Sequence, residues 1–400
     1  MKITKMSLVA ALLVGSSAFA IDNVKVSGDA KLYYSTDDAG NGDRNTLFDT
    51  TNSAGQAAAS LSISADLTEG VSAGSKVTAL TTLGLQNSLV SKVWENVNGL
   101  SDSFIVNDLW LAATAGKTTA KVGRMELDTP LVFTEKWSIV ENTYEAAVVI
   151  NQDIPNTTLV GAYVGASNIA AASGGPVIGG VIASQQGLDP LIGLQNDTTF
   201  SQFGTSGAFA IGAINNSWEP LTVQAWYYDA PQAATAYWLQ ADLNMEGILV
   251  GAQYTGLSTP VANSKDGDAF AVMAGYAMKD VFTAKLAYSA TNSDTGAGGN
   301  LGGAQSKLYT EAWWNYGQIT QNDTTAINVT VEGTVSEIDL GAYYTMVDHG
   351  TTNATADLNE LTLSVSKTFG PLDTSLVYIN TDTDGTDAVN TIQAYLTYNF

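Results

Sequence analysis

Residues suited to catalysis are scarce in this chain. His349 is the single histidine, and it lies in the polar segment Asp348-His349-Gly350. A Ser-His or His-Asp dyad here would support general-base catalysis, but one histidine beside a loop is far more often a solvated residue. The chain has no cysteine, no HExxH zinc motif and no phosphate-binding loop. The sequence therefore predicts a protein that is not an enzyme and that uses no cofactor.

An aspartate-rich segment comes nearest to a metal site. Asp382, Asp384 and Asp387 are separated by Thr and Gly, superficially as in a calcium loop. The segment lacks a distal glutamate at the right spacing and lies between two predicted strands. We expect no dedicated metal site, and weak binding of divalent cations by exposed acidic loops stays open.

The first twenty residues have the three parts of a secretory signal. A short basic region with two lysines precedes the apolar run 6–14. Small residues at Ala18 and Ala20 match the positions that signal peptidase reads. The apolar run is shorter than the roughly 20 residues needed to span a bilayer. We therefore expect a signal peptide over 1–20, with cleavage after Ala20.

The composition favours an acidic protein inserted in lipid. The net charge is −23, and loss of the signal would leave 14 basic and 39 acidic residues, a net charge of −25. This balance argues against nucleic acid as a partner and favours attraction of cations. Beyond the signal, no stretch near 20 residues is uniformly apolar, which argues against membrane-spanning helices. The 38 Gly, 17 Tyr and only 14% charged residues instead match a transmembrane β-barrel.

Strict alternation of apolar and polar residues marks the candidate strands. In 59–67 the odd positions are apolar and the even positions are Ser or Asp, and 327–332 and 361–366 repeat this pattern. One face would meet acyl chains and the other would line a lumen. We count about 18 such strands, at 24–35, 57–67, 71–82, 104–115, 118–126, 145–151, 157–166, 206–214, 220–229, 234–244, 247–256, 268–278, 281–291, 324–333, 336–347, 358–368, 372–380 and 389–400.

The connections between these strands alternate between tight turns and long polar loops. Turns at one rim and long loops at the other are typical of a transmembrane barrel and unlike a soluble sandwich. An even strand count places both termini on the periplasmic side. Because parity argues against a nineteenth strand at 305–318, we assign this segment to a loop that folds inward. The sequence thus predicts a single-domain antiparallel β-barrel over 21–400, with inward-folded extracellular loops.

The last strand carries an apolar face that ends on an aromatic residue. Ile392, Ala394, Leu396, Tyr398 and Phe400 share this face. The terminal aromatic resembles the signal that outer-membrane barrels present to their assembly machinery. We therefore predict that Tyr398 and Phe400 form a C-terminal assembly signal, and that the export and barrel-assembly machineries are partners.

The segment 123–145 resembles the OprD-type porins. It reads Gly-Arg-Met-Glu-Leu-Asp-Thr-Pro over 123–130, where that family has Gly-Arg/Lys-Gln-x-Leu-Asp-Thr-Pro, and Asn-Thr-Tyr-Glu over 142–145, where the family has Asn-Thr-Phe-Glu. The overall layout is also similar to the major outer-membrane porins. The chain departs from the OprD-type pattern in having only Arg44 and Arg124, so that family's arginine ladder for carboxylates is not carried over.

The resemblance implies that 126–144 is an extracellular loop that narrows the barrel. Fixed charges in a narrow, low-dielectric passage focus the field on passing ions. The alternative is that these charges are solvated and have no role. The predicted constriction residues are Arg124, Glu126, Asp128, Glu135, Lys136, Glu141, Glu145, Lys307, Tyr309 and Glu311.

We therefore expect an outer-membrane porin for passive diffusion of small hydrophilic solutes and ions, with a preference for cations. Its partners would be outer-membrane lipid and small hydrophilic or cationic solutes, and both a monomer and a self-associated trimer stay open. The alternative is a structural or adhesive surface barrel with a blocked lumen, suggested by the Gly- and Ser-rich loop 167–205.

Overall fold

The computed structural model describes residues 22–39, 46–81, 83, 102–136, 139–168, 200–202, 206–231, 233–260 and 265–400. The predicted signal peptide, with Ala18 and Ala20, lies outside the described residues, as does most of loop 167–205.

Within these described residues, eighteen antiparallel strands form one closed barrel wall. They are β1 Asp22–Asp37, β2 Ser53–Thr68, β3 Val71–Thr81, β4 Asp102–Ala115, β5 Thr118–Met125, β6 Tyr144–Asn151, β7 Thr157–Ser167, β8 Ala208–Trp218, β9 Leu221–Ala230, β10 Ala234–Met245, β11 Ile248–Ser258, β12 Gly267–Met278, β13 Phe282–Thr291, β14 Thr324–Val335, β15 Ile338–His349, β16 Leu358–Phe369, β17 Leu372–Thr383 and β18 Val389–Asn399. A further two-residue strand, Ser201–Gln202, pairs with the end of β7. The predicted antiparallel barrel and its strand count are confirmed.

The wall closes where the first and last strands pair. Asp29 lies opposite Asn399, and the register continues to Asp37 opposite Thr391. At the periplasmic end the Gly28 amide donates to the Phe400 carbonyl (2.8 Å), and the Phe400 amide donates to the Gly28 carbonyl (2.9 Å). No edge strand is left at this seam, so the backbone polar groups are satisfied within the wall, as a lipid environment requires.

The outer face of the wall is apolar, as the alternation predicts. On β14, Ile327, Val329 and Val331 are 36%, 39% and 44% exposed, whereas Asn328 and Thr330 between them are buried. Because side chains alternate across a strand, the buried set faces the lumen and the exposed set faces acyl chains. Among the described residues, no helix is long and apolar enough to cross a membrane.

Aromatic rings mark both edges of this apolar band. Toward the long loops, ring pairs on the outer face join neighbouring strands: Tyr163 with Phe209, Tyr237 with Tyr254, and Phe270 with Tyr288. Toward the short turns lie the exposed rings of Trp218, Tyr276, Phe282, Phe369 and Phe400. Two aromatic girdles of this kind are the usual borders of a transmembrane barrel.

The segment 305–318 is not a strand. The connection from β13 to β14 instead contains one isolated bridge, between Gly299 and Ser306, and a short 3-10 helix, Gln318–Thr320. Many of its side chains are buried inside the barrel, including Leu308, Ala312 and Ile319. The prediction of an inward loop, made from strand parity, is therefore confirmed.

Candidate pore constriction

Two extracellular loops fold into the lumen and touch each other. We call 126–143, between β5 and β6, loop A, and 292–323, between β13 and β14, loop B. Near the end of β5, which leads into loop A, Gly123 has a φ of +126°. A Cβ added there would lie 2.1 Å from the Leu109 carbonyl oxygen, so there is no room for a side chain. Met125 and Tyr144 pair at the base of the loop and are almost fully buried. The base of loop A is thereby fixed on the lumen side.

Loop A spans the lumen between two parts of the wall. At one end, the Leu131 amide donates to the Tyr228 hydroxyl of β9 (3.3 Å). At the other end, Ile139 and Val140 pack in an apolar cluster against wall residues. The wall members of this cluster are Tyr33, Ala58, Leu80 and Ile105. Loop A therefore has an anchor on each side of the passage, which restricts its motion.

The carboxylate of Glu141 adds an ionic anchor at the second of these ends. It makes a close ion pair with Lys76 of β3, and one of its oxygens lies 3.8 Å from the Nζ of Lys31 of β1. Glu141 is 5% exposed, and a buried carboxylate needs such cationic partners.

Loop B docks on the opposite wall through one buried carboxylate. Glu360 of β16 accepts hydrogen bonds from the backbone amides of Trp314 (2.9 Å) and Asn315 (2.8 Å) and from the Asn315 side chain (2.7 Å). Charge-assisted bonds of this kind are stronger than neutral ones. The Glu360 carboxylate therefore holds loop B mainly through hydrogen bonds from the main chain of the loop.

The middle of loop B is tied to β10 and β11. The Gln253 side chain donates to the Lys307 carbonyl (2.9 Å) and accepts from the Tyr309 amide (3.0 Å). The Tyr309 hydroxyl donates to Asp242. Burial, together with this carboxylate acceptor, raises the pKa of Tyr309 well above its usual value, so Tyr309 stays a hydrogen-bond donor at neutral pH.

The two loops meet at Glu135 and Asn300. Oε1 of Glu135 accepts from the Asn300 side chain (2.9 Å) and from the Gln305 amide (2.7 Å). Asn300 also bonds both backbone groups of Phe133, its Nδ2 donating (2.8 Å) and its Oδ1 accepting (3.2 Å). The Leu301 amide donates to the Leu131 carbonyl (2.7 Å). These bonds make loops A and B one continuous partition inside the barrel.

Two further ion pairs lie on the surface of this partition. Lys307 of loop B pairs with Asp128 of loop A, and its Nζ lies 4.8 Å from the ring centre of Phe133. Within loop A, Lys136 pairs with Glu126 at 2.6 Å. These side chains are partly or largely exposed to the lumen, so the pairs add little stability but place fixed charges beside the passage.

Glu311 is partly exposed to the cavity, but one of its carboxyl oxygens is buried in loop B. Its Oε1 accepts from the Gly317 amide at 2.8 Å, and its Oε2 is buried. Desolvation raises the pKa of Glu311 well above its ordinary range, despite that hydrogen bond. Glu311 is thus held in its neutral form over a wider pH range than a solvated glutamate.

A row of lysines on the wall was not singled out from the sequence. Lys31, Lys76 and Lys121 face the lumen from alternate strands β1, β3 and β5. Lys76 lies opposite Asp108 of β4 in register, and the ammonium of Lys121 lies 4.3 Å from the ring centre of Trp110. Each of these lysines occupies a lumen-facing position in the alternation of its strand, and this position in the sequence could have revealed the row.

Arg124 and Glu145 lie on the other face of the wall. The Arg124 Nε donates to Glu145 at 3.0 Å, and its guanidinium stacks on the ring of Phe200 at 4.0 Å. Arg124 lies opposite Leu109, which is exposed on the outer face of the wall. Val122, two residues before Arg124 and therefore on the same face of β5, is also exposed. Alternation therefore turns this ion pair away from the lumen, so these two residues of the predicted constriction do not line it. The other eight lie in loops A and B.

A cavity of about 590 Å³ lies between the partition and the wall strands β13, β14, β15, β17 and β18. Its ionisable lining residues are Lys136, Lys285, Glu311 and Glu332, and its aromatic ones are Tyr309, Trp313, Tyr316, Tyr343 and Tyr395. A wall of fixed charges and hydroxyl groups suits small hydrophilic solutes.

His349 has a structural environment. Its Nδ1 lies 2.9 Å from the Thr324 hydroxyl and 3.2 Å from the Asn353 side-chain nitrogen, and its amide donates to Asp357. These contacts connect the 350–357 loop to the root of loop B. The His349 ring therefore positions these loop residues, whereas the sequence suggested a solvated side chain without such contacts.

The barrel resembles solved porin structures along almost its entire length. Pseudomonas aeruginosa OpdK gives a TM-score of 0.73 at 13% identity and covers 94% of this chain and 98% of its own. P. aeruginosa OccK8 (OprE) gives 0.71 at 15% identity, with coverage of 96% and 99%. Acinetobacter baumannii OccAB4 gives 0.72 at 11% identity, with coverage of 94% and 98%. At these identities the likeness is one of fold.

Family membership rests on the sequence itself. A comparison with curated proteins gave no match. The sequence profile of the Campylobacter major outer membrane protein family matches residues 1–257, more than half of the chain. With a closed 18-stranded wall, two aromatic girdles and a lumen narrowed by loops, the chain belongs to the Campylobacter major outer membrane protein family and is an outer-membrane porin.

Proposed function

We propose that the protein is a passive diffusion channel for small hydrophilic solutes and ions and that it prefers cations. The observation that carries the proposal is the cavity of about 590 Å³ left beside the two-loop partition and lined by charged side chains. Solutes would move down their gradient with no bond broken. The contacts of His349 with loop residues support a structural role for this residue and a non-enzymatic protein.

The charge balance around the partition supports the cation preference. Asp294 and Asp323 lie at the two ends of loop B; apart from them, carboxylates outnumber lysines by ten to six among the charged side chains of loops A and B and of the wall that they approach. The carboxylates are Asp29, Asp108, Glu126, Asp128, Glu135, Glu141, Asp242, Glu311, Glu332 and Glu360, and the lysines are Lys31, Lys76, Lys121, Lys136, Lys285 and Lys307. Even with Glu311 neutral, a negative excess remains, and a low-dielectric passage focuses its field on permeating ions.

The reversal potential of the purified porin in a planar bilayer under a KCl gradient tests this preference. We expect the sign of a cation-selective channel. Glu141→Gln, which removes the carboxylate that Lys31 and Lys76 share, should shift the potential toward anions. Glu219→Gln in a periplasmic turn should leave it unchanged. Anion selectivity of the parent channel would refute the cation preference and leave its assignment as a porin intact.

We also propose that residues 1–20 are removed on export and that Tyr398 and Phe400 act as the assembly signal. The seating of Phe400 beside Gly28 at the barrel seam supports a role for the terminal residue in closing the wall.

A further inference from the structure

Lys285 differs in its partners from four other lysines in or beside the partition. Lys31, Lys76, Lys136 and Lys307 each lie within 4 Å of a carboxylate oxygen. Lys285 of β13 lines the cavity, is half-buried and, among the described residues, has no carboxylate within 4 Å. A lysine ammonium that has no carboxylate partner can form an ion pair with an anionic group of a solute inside the lumen.

Glu332 supplies the opposite charge next to Lys285. Thr283 lies opposite Glu332, and Lys285 lies opposite Thr330, so the two charged residues are diagonal neighbours on the lumen face of β13 and β14. Diagonal neighbours lie about 7–8 Å apart, with their Cβ atoms somewhat closer. The Tyr343 hydroxyl donates to Glu332 at 2.8 Å and holds its carboxylate in place. The separation leaves room for a small group that bears both charges.

Aromatic rings form the remaining wall of the same cavity. Tyr309 and Trp313 come from loop B, and Tyr343 and Tyr395 come from β15 and β18. Asn328 and Thr330 add polar groups between them. The faces of such rings can pack against the apolar part of a solute, and they also attract its ammonium group through cation–π interactions.

We propose that this cavity is a binding subsite for zwitterionic solutes with an apolar side chain, such as free amino acids. The carboxylate would pair with Lys285, the ammonium would pair with Glu332, and the side chain would lie against the rings of loop B. The inference rests on the proposed channel function and names a class of solute for it. Weak binding of this kind concentrates a solute inside the lumen and still permits its release.

The test is block of the ion current through single channels in a planar bilayer by three molecules with the same ring. Phenylalanine carries both charges, 3-phenylpropionate only the carboxylate, and phenethylamine only the ammonium. We expect phenylalanine to block at about tenfold lower concentration than either analogue, because each charge-assisted contact is worth roughly one such factor. Equal block by all three would overturn the proposal.

Two variants assign the contacts. Lys285→Met should reduce block by phenylalanine to the level of phenethylamine, and Glu332→Gln should reduce it to the level of 3-phenylpropionate. Lys265→Met, at an extracellular ion pair with Asp294, is the matched control and should not change the block. If neither lumen variant alters the block, the subsite lies elsewhere. The KCl conductance separates this proposal from the proposed channel function. A conducting channel that shows no preference for the zwitterion would refute only the subsite. Folded protein that does not conduct would refute the channel function.

Discussion

At the scale of single residues, Glu135 shows how one carboxylate holds two loops together. Glu135→Ala would leave the Asn300 side chain and the Gln305 amide without their acceptor. Loss of hydrogen bonds to a charged, buried group should weaken the contact between loops A and B by about 2–3 kcal/mol. We predict a larger and noisier single-channel conductance than in the parent protein. Glu219→Ala is the control in a periplasmic turn, and identical current traces for Glu135→Ala and the parent would contradict this role.

Glu311 predicts a dependence on pH with a defined sign. Burial raises its pKa in the folded protein above the ordinary range of a solvated glutamate, so its contribution to the docking of loop B is full below that range. The contribution is lost as pH rises through the elevated pKa of the folded state, because ionisation places a charge in a desolvated position. We expect loop B to become more susceptible to added protease as pH rises through this elevated pKa.

The matched variant removes the ionisation and keeps the shape. Glu311→Gln should retain the hydrogen bond from Gly317 and abolish the rise in cleavage of loop B with pH. Glu337→Gln, in a periplasmic turn, should behave as the parent protein does. The same pH profile in Glu311→Gln and the parent would assign the effect to another group.

At the scale of elements, the strands could be predicted and most contacts of the loops could not. Alternation is a local property, so β14 is visible in a few residues of sequence. The bonds between Glu135 and Asn300 join positions 165 apart, and no local pattern specifies such a pair. The lysines Lys31, Lys76 and Lys121 likewise become neighbours only through strand register.

The outward position of Arg124 has a related cause. The motif around Arg124 can be recognised in the sequence, and its resemblance to the OprD-type porins predicts that Arg124 and Glu145 lie in the constriction. The face on which a side chain lies depends on the phase of the strand, and the wall here contains register shifts beside Val106 in β4 and between Glu145 and Ala146 along β6. A one-residue change of phase moves a side chain to the opposite face.

The partition predicts that loop B is dispensable for the wall. Its contacts with the wall are made by side chains such as Glu360 and Gln253, whereas the strands are joined by their own backbone bonds. Replacement of 303–316 by a short Gly-Ser linker should therefore leave a folded barrel, seen as heat-modifiable migration in gel electrophoresis, with an increased conductance. Loss of the folded form would mean that loop B supports the wall itself.

At the scale of the whole molecule, closure depends on the contact between its two ends. A Cβ added at Gly28 would lie 2.5 Å from the Ser60 carbonyl oxygen and 2.6 Å from the Phe400 ring. Gly28→Leu should therefore displace Phe400 and destabilise the seam by about 1–3 kcal/mol. We predict a lower yield of folded barrel in detergent refolding, measured by heat-modifiability. Gly161→Leu, where an added Cβ meets no atom within 4 Å, is the control, and equal yields would show that the seam tolerates the change.

The barrel, the partition and the passage beside it together predict an open channel. The measurement that tests this most directly is the current through folded, purified protein in a planar bilayer. We predict discrete conductance steps that grow in proportion to salt concentration, as expected for ions that move through a water-filled passage. Folded protein that inserts and yet gives no steps would contradict the account, and would mean that loops A and B block the lumen.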